Sequence, residues 1–302
     1  MISAIPTADP APGEPTARPA RRRGSFAILG LLPFFLFAIA FLFLPISFLV
    51  IGSFLDNDGS VTAQNYLDLQ QQSIVIAFQN SLVVSGITAI VGGIFGFFLA
   101  YAVVLGGLPR FVGAALTTFS GVASNFAGVP LALAFVFTLG QVGLVTKLLQ
   151  DTFGFNLYDA GFSLYTILGL SLTYLYFQFP LMLLIIGPAI SGLRKEWREA
   201  SENMGAGTYQ YWRYIALPIL MPSLLGTMIL LFGNAFGAQA TAFQLTGGTI
   251  RLVPIVIGAQ IRGDVLHNPG LGYAMAMGMV AIMGVSILVY SVLQRRAERW
   301  LR

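Results

Sequence analysis

The sequence predicts an all-α polytopic membrane protein with six transmembrane helices, and three observations carry that prediction. The 302 residues are 56% hydrophobic and only 9% charged, where soluble globular domains are about 25% charged. Six intervals hold no Asp, Glu, Lys or Arg, namely 24–55, 69–109, 111–146, 160–193, 214–250 and 265–294. Each exceeds the ~20 apolar residues that cross a bilayer. The runs also lack the two-residue alternation of barrel strands, and hydrocarbon cannot satisfy open backbone, so the spans are expected to be helices.

Basic residues set the expected orientation. With six spans, one side collects Arg18, Arg21, Arg22, Arg23, Arg110, Arg194, Lys195, Arg198, Arg213, Arg295, Arg296, Arg299 and Arg302, whereas the other has only Lys147, Arg251 and Arg262. The positive-inside rule then places both termini and the loop around 194–213 in the cytoplasm. A net charge of +4 follows from that topology and calls for no nucleic-acid partner. The absence of cysteine excludes disulfides and thiolate metal sites.

Residues 1–25, rich in Pro, Ala and Arg, are expected to form a disordered cytoplasmic tail. The apolar run that follows is too long for a signal peptide and is read as an uncleaved first span over 26–55, with Pro33 and Pro45 kinking it or marking its ends. Asp56-Asn57-Asp58-Gly59 is a turn. Span two, 76–105, carries Gly86, Gly92, Gly93, Gly96 and Ala100, small residues that let helices approach closely and place it centrally in the bundle.

Span three, 111–139, holds Asn125 and Pro130. An asparagine at bilayer depth needs a partner or a wet cavity, so Asn125 is either a wall of a translocation pathway or an interhelical hydrogen bond. Residues 144–153 are read as a short interfacial helix. In span four, 163–191, the Gln178-x-Pro180 pair predicts a local break in the helix. Span five, 219–245, adds Asn234 and Gln239 as further polar candidates for the pathway. Residues 251–269 form an external loop, in which His267 is read as a loop residue rather than a metal ligand. The methionines of span six, 271–293, serve packing rather than metal relay. The chain closes on a basic tail, 295–302.

Between spans four and five lies a polar island. Lys195 with Glu199 and Arg198 with Glu202 are opposite charges four apart on an amphipathic helix, 194–204. Gly205 suits a positive φ at its end, and Thr208 is expected to cap a second short helix reaching Ile215. Pro218 biases Leu217 away from the α region and suits the first turn of the following span.

Across the island, Glu199-Ala200-Ser201, three residues, Gly205-Ala206, then Ile215, one residue and Leu217-Pro218 resemble the EAA loop of permease subunits in binding-protein-dependent ABC importers. That family's pattern is E-A-A, three residues, G, nine residues, I, one residue, L-P, and only the second alanine differs, as Ser201. Asn65-Tyr66-Leu67 and Gln79-Asn80-Ser81-Leu82 also resemble the start of the family core. The resemblance implies an ABC transmembrane type-1 domain over 76–294, a five-helix core preceded by the N-terminal helix. Within it, 194–217 is the coupling loop that docks on a cytoplasmic ATPase. It also implies the partners: two ATPase subunits that use ATP and Mg, a second permease, identical or not, and an external solute-binding protein, assembled in a bacterial inner membrane. Thr246-Gly247-Gly248, Asn268-Pro269 and Gly272-x-Ala274-x-Ala276 resemble permeases for polyamines, phosphonates and iron(III). They imply a small polar solute such as spermidine or putrescine, with phosphonate or iron(III) as alternatives.

The residues themselves provide no motor. No G-x-x-x-x-G-K-[ST] is present, and Gly205-Ala206-Gly207-Thr208 lacks the lysine. No span holds an ionisable pair of the kind a proton- or sodium-coupled carrier uses, and no nucleophile–base pair or metal cluster marks an enzyme. The expectation is therefore a transport subunit that binds no cofactor. A channel or secondary carrier with a merely structural loop, and a non-transporting scaffold, are the competing readings.

Overall fold

A computed structural model describes residues 24–263 and 267–298. Most of the expected disordered tail, residues 1–23, and the last four residues of the basic tail lie outside the described residues. The chain divides into two units, residues 1–48 and 49–302. Helix α1 (Gly24–Ala38), a π-helical segment (Ile39–Phe43) and the start of α2 (Leu44–Gly52) make up the described part of the first. Pro33 sits inside α1. Pro45 has no N–H and its ring excludes the carbonyl four residues back, so the ladder widens by one residue and the Leu44 N–H bonds Ile39 O.

The second unit is a helical bundle. After the Asp56–Gly59 turn, where Gly59 has φ 82°, come α3 (Gln64–Asp68), α4 (Gln72–Leu105), α5 (Arg110–Asn125), α6 (Val129–Leu139) and α7 (Leu144–Phe153). They are followed by α8 (Ile167–Ser191), α9 (Lys195–Asn203), α10 (Thr208–Tyr211), a second π segment (Trp212–Ala216), α11 (Leu217–Gly237), α12 (Gln239–Thr246), α13 (Val253–Arg262) and α14 (Pro269–Glu298). Among the described residues six helical stretches are long and apolar enough to cross a membrane: Leu31–Gly52, Gln72–Leu105, Val129–Phe153, Ile167–Ser191, Thr208–Gly237 and Pro269–Arg296. The protein is a multi-pass membrane protein.

Helix α4 is the axis of the bundle, packing on α8 along most of its length and on α11 behind it. Its small residues make this possible. A Cβ at Gly92 would lie 2.8 Å from Gln178 Cβ, and one at Gly96 would lie 2.6 Å from Met182 Cβ. Ala89 and Ala100 complete the seam against Met182, Leu183, Ile186 and Ile190. Polar side chains fix the far end. Asn65 Nδ2 donates to Ser53 O at 3.0 Å and Leu55 O at 2.9 Å. Asn80 Nδ2 donates to Arg251 O at 3.1 Å, and the Val253 N–H donates to Ser81 Oγ at 2.9 Å. The Asn-Ser step at the start of span two is thus a clamp on the beginning of α13.

Four expectations are corrected. The span placed over 111–139 is two helices, broken after Asn125 and restarted at Val129, because Gly128 takes φ 75° and Pro130 in the first turn of α6 starts a helix rather than continuing one. The stretch long enough to cross from there includes α7. The span placed over 219–245 is likewise divided, at Ala238 (φ −75°, ψ 81°) between α11 and α12. Conversely, α8 runs unbroken through Pro180 and Pro188, since the packing of α4 and α11 on both sides overrides the weak local preference. The loop 251–269 contains α13, started by Pro254, which packs on α14 and α4. At the C terminus α14 continues through Arg295 and Arg296 to Glu298.

Because the α4–α8 seam has no room for a branched side chain, Gly96→Val is expected to cost ~1–3 kcal/mol. In detergent-solubilised protein this reads as a lower midpoint of thermal unfolding. Gly86→Ala is the control, since nothing lies within 4 Å of a Cβ there, and its midpoint does not fall.

Candidate functional site

The loop joining α8 to α11 is built from two short helices and one left-handed residue. Helix α9 ends in a Schellman arrangement: the Ala206 N–H donates to Ser201 O and the Gly205 N–H to Glu202 O, both at 2.9 Å. This closure puts Gly205 at φ 80°, where any side chain is strained. The 199–206 pattern therefore has a geometric meaning. The third residue of the E-A-A triplet is the one whose carbonyl receives the closing bond, and the glycine four residues on makes that bond reachable.

Glu199 and Ala200 are exposed on α9, while Ser201 is buried. The Ser201 hydroxyl donates to Arg198 O at 2.7 Å, so serine occupies an alanine position without leaving a polar atom unpaired. Ala206 stands beside Ser201 in a cavity of about 310 Å³ that also takes in Met204, Tyr214 and Ile215. Met204, Tyr209 and Tyr214 are 78%, 77% and 71% exposed, three large side chains presented outward from a loop only a few residues across.

Two details differ from expectation. The N-cap of α10 is Gly207 and not Thr208, which is the first helical residue. The Gly207 N–H donates to Gln210 Oε1 at 2.8 Å, one half of a capping box, since glycine has no side chain to complete it. Leu217 is helical (φ −63°, ψ −46°), and its N–H bonds Trp212 O. Pro218 therefore does not end the helix. As at Pro45, the proline opens the ladder into a π turn, which carries α10 into α11 as one stretch, Thr208–Gly237. Leu217-Pro218 is thus the place where the loop is welded to the span, and Ile215, half-buried in the π turn, sits at the weld.

Among the described residues one ion pair is present, Arg198 Nε to Glu202 Oε1 at 2.9 Å. Lys195 and Glu199, the other pair at helical spacing, do not meet. Hydrogen bonding and then the charge of Glu202 hold the Arg198 guanidinium above its ordinary pKa. The Arg194 guanidinium carbon lies 5.7 Å from the centre of the Trp197 ring.

The four polar pathway candidates do not converge. Gln178 is fully buried, with Nε2 donating to Leu231 O at 2.9 Å, a bolt from α8 to α11. Asn125 is exposed at the end of α5, its Nδ2 donating to Gly121 O at 2.9 Å. Asn234 and Gln239 are exposed on either side of the Ala238 break. Sequence reasoning missed the two residues that hold the breaks. The Tyr174 hydroxyl donates to the Ala238 carbonyl, and the Gly128 N–H donates to Thr241 Oγ1 at 2.7 Å, linking one broken helix to the other. Gly128 with Pro130 was a readable signal for the first break. Nothing comparable marks Ala238.

The sequence profile of binding-protein-dependent transport system inner membrane components matches residues 92–302, and the chain belongs to this family. It is 27% identical over 269 residues to the ferric transport system permease protein FbpB of Actinobacillus pleuropneumoniae, covering 89% of this chain and 37% of that protein. With the spermidine/putrescine transport system permease protein PotB of Haemophilus influenzae it is 26% identical over 277 residues, covering 87% and 94%. The sulfate transport system permease protein CysT of Salmonella typhimurium is 24% identical over 217 residues, 70% and 72%. The chain spans only 41% and 37% of the length of two ferric permeases that it matches. A bacterial ABC transporter involved in import of the acidic polysaccharide alginate superposes with a TM-score of 0.70 at 17% identity, covering 90% of this chain and 95% of that one. At that identity the likeness shows the fold, that of an ABC importer transmembrane domain.

Since the Ser201 hydroxyl bonds within its own helix, Ser201→Ala is expected to leave the thermal midpoint unchanged. Ser201→Leu, which puts a branched side chain at a 1% exposed position, lowers it by an amount corresponding to ~1–3 kcal/mol.

Proposed function

We propose that the chain is a membrane-spanning permease subunit of an ATP-driven importer, coupled to a separate ATPase through residues 194–217. The observation that carries this reading is the loop itself. It combines a Schellman closure at Gly205 with a π turn at Leu217-Pro218, which makes it a rigid outward knuckle continuous with α11. Force applied to that knuckle reaches α11 directly and reaches α8 through Gln178. The motor is then a pair of cytoplasmic ATPases using ATP and Mg, with a second permease and an external solute-binding protein completing the assembly. In this reading both termini and the loop face the cytoplasm of a bacterial cell, the side the positive-inside rule favours for the basic residues.

Asn125, Asn234 and Gln239, being exposed at helix breaks, are proposed to face the solute path, with Gln178 bolting the wall behind it. The solute is a small polar one. Spermidine and putrescine are the first to test, because the relative named for them is matched over 94% of its length. The ferric and sulfate relatives support an iron or oxyanion cargo as the second reading.

Gly205→Asp places a Cβ and a charge at φ 80°, costing ~1–2 kcal/mol locally. In cells carrying the chain with its partners, uptake of labelled solute is expected to fall at least several-fold, and the ATPase subunit no longer co-purifies. Unchanged uptake and ATPase association in that variant would contradict the assignment, as would transport by this chain alone in vesicles without any ATPase.

A further inference from the structure

A second cavity lies on the other side of the loop; its polar rim belongs to the loop assigned above to the ATPase, and the cavity itself has no occupant in that reading. About 440 Å³ in volume, it is a half-open cleft between the last turns of α4 and the loop helices. Tyr101, Leu105, Leu193 and Trp212 form its apolar wall; Arg194, Lys195 and Arg198 stand on its polar side, together with Glu199 and Glu202. Tyr101 meets Trp212 edge to face, with ring centres 5.2 Å apart.

The level of the cavity is fixed by its walls. Tyr101 and Leu105 belong to the last turns of α4, and Leu193 follows the end of α8 by two residues, so the cavity opens where two apolar spans run out. Tyrosine and tryptophan at that level form the amphipathic belt that sits among lipid headgroups. The charges divide unevenly. Arg198 is committed to Glu202, whereas Arg194 and Lys195 have no carboxylate within ion-pairing distance among the described residues. Against Glu199 they leave the cavity with one excess positive charge; among the described residues Lys195 has no ion-pair partner, and Arg194 has none beyond the Trp197 ring, whose centre lies 5.7 Å from its guanidinium carbon. The chemistry is that of a phosphodiester site: donors at the rim, an aromatic and aliphatic floor, and adjacent hydrocarbon for an acyl chain.

We propose that this cavity binds the phosphate headgroup of an anionic phospholipid from the leaflet on the loop's side, wedging one lipid between α4 and α9. The ligand would touch both the axis of the bundle and the helix that ends in Gly205, so the lipid would brace the loop against the bundle.

The test uses the purified full chain in non-ionic detergent with equimolar phosphatidylglycerol and phosphatidylcholine, bound lipid being counted by native mass spectrometry. Phosphatidylglycerol is expected to be retained in preference. The double variant R194Q/K195Q should lose roughly fivefold in that preference for each charge removed. R295Q, whose arginine does not line the cavity, keeps the preference, and an unchanged thermal midpoint verifies that the double variant is folded. Equal retention of the two lipids by the wild type overturns the proposal, as does a preference that survives R194Q/K195Q. Displacement of the lipid by millimolar inorganic phosphate would assign the cavity to a free anion instead. If an added ATPase subunit displaces the lipid and its own binding is lost in R194Q/K195Q, the cavity receives an acidic protein side chain, which also overturns the proposal.

Discussion

The structure depends on how closely α4 and α8 approach. Without a hydrophobic effect between helices in lipid, association comes from contact and from polar bonds between them. Here glycines at 92 and 96 remove the side chains that would hold the two helices apart. The backbone of α4 then lies against Gln178 and Met182, which brings Gln178 within reach of the Leu231 carbonyl on α11. Three helices are joined at one level by contact on one side and a hydrogen bond on the other. Breaking that bond would leave a buried amide without a partner, at about 1–3 kcal/mol, so the junction is costly to open.

The loop is joined to that junction through its own backbone. The second half of the loop is the start of α11, because the proline of Leu217-Pro218 widens the ladder rather than stopping it. The first half is closed on itself by two backbone bonds around Gly205. Within this element the backbone departs from an α ladder at Arg194, where it is extended, at the Gly205–Gly207 turn and at the π turn, and these are the places where a motion could bend it before it reaches the bundle. At the opposite end the chain is looser in design: α5–α6 and α11–α12 are both broken, and the breaks are held by single hydrogen bonds from Tyr174 and to Thr241. Exposed Asn125, Asn234 and Gln239 lie beside those breaks.

Much of this was legible beforehand, for reasons that differ by element. Charge-free runs marked the apolar stretches because burying a charge in hydrocarbon is expensive whatever the fold. The glycines of α4 marked the central helix because small residues serve close approach. The island at 199–218 was readable as a motif, and Gly205 as the positive-φ end of its first helix, but the rest of its physical content was not. That Ser201 accepts the closing bond, and that Pro218 opens a π turn, depend on backbone geometry no spacing reveals. The breaks divided along the same line. Gly128 and Pro130 could have announced one, although 111–139 was read as a single span, while Ala238 carries no such signal and breaks where α12 turns to pack on α6. Gln178-x-Pro180 pointed to a break that tertiary packing suppresses, and Pro254 was passed over as a loop residue although it starts a helix.

At the centre of this structure the loop moves as one body with the α8–α11 pair that Gln178 bolts together. The chain has no cysteine, so spin labels at Leu168→Cys and Met204→Cys, both exposed positions, meet no competing thiol within it. Pulsed electron–electron double resonance on the chain assembled with the proposed ATPase and second permease should give one unchanged distance between them with and without ATP, while the distance from Met204 to a label on that second permease shifts. A Leu168–Met204 distance that changes on ATP binding, with Met204 swinging alone, would contradict the account.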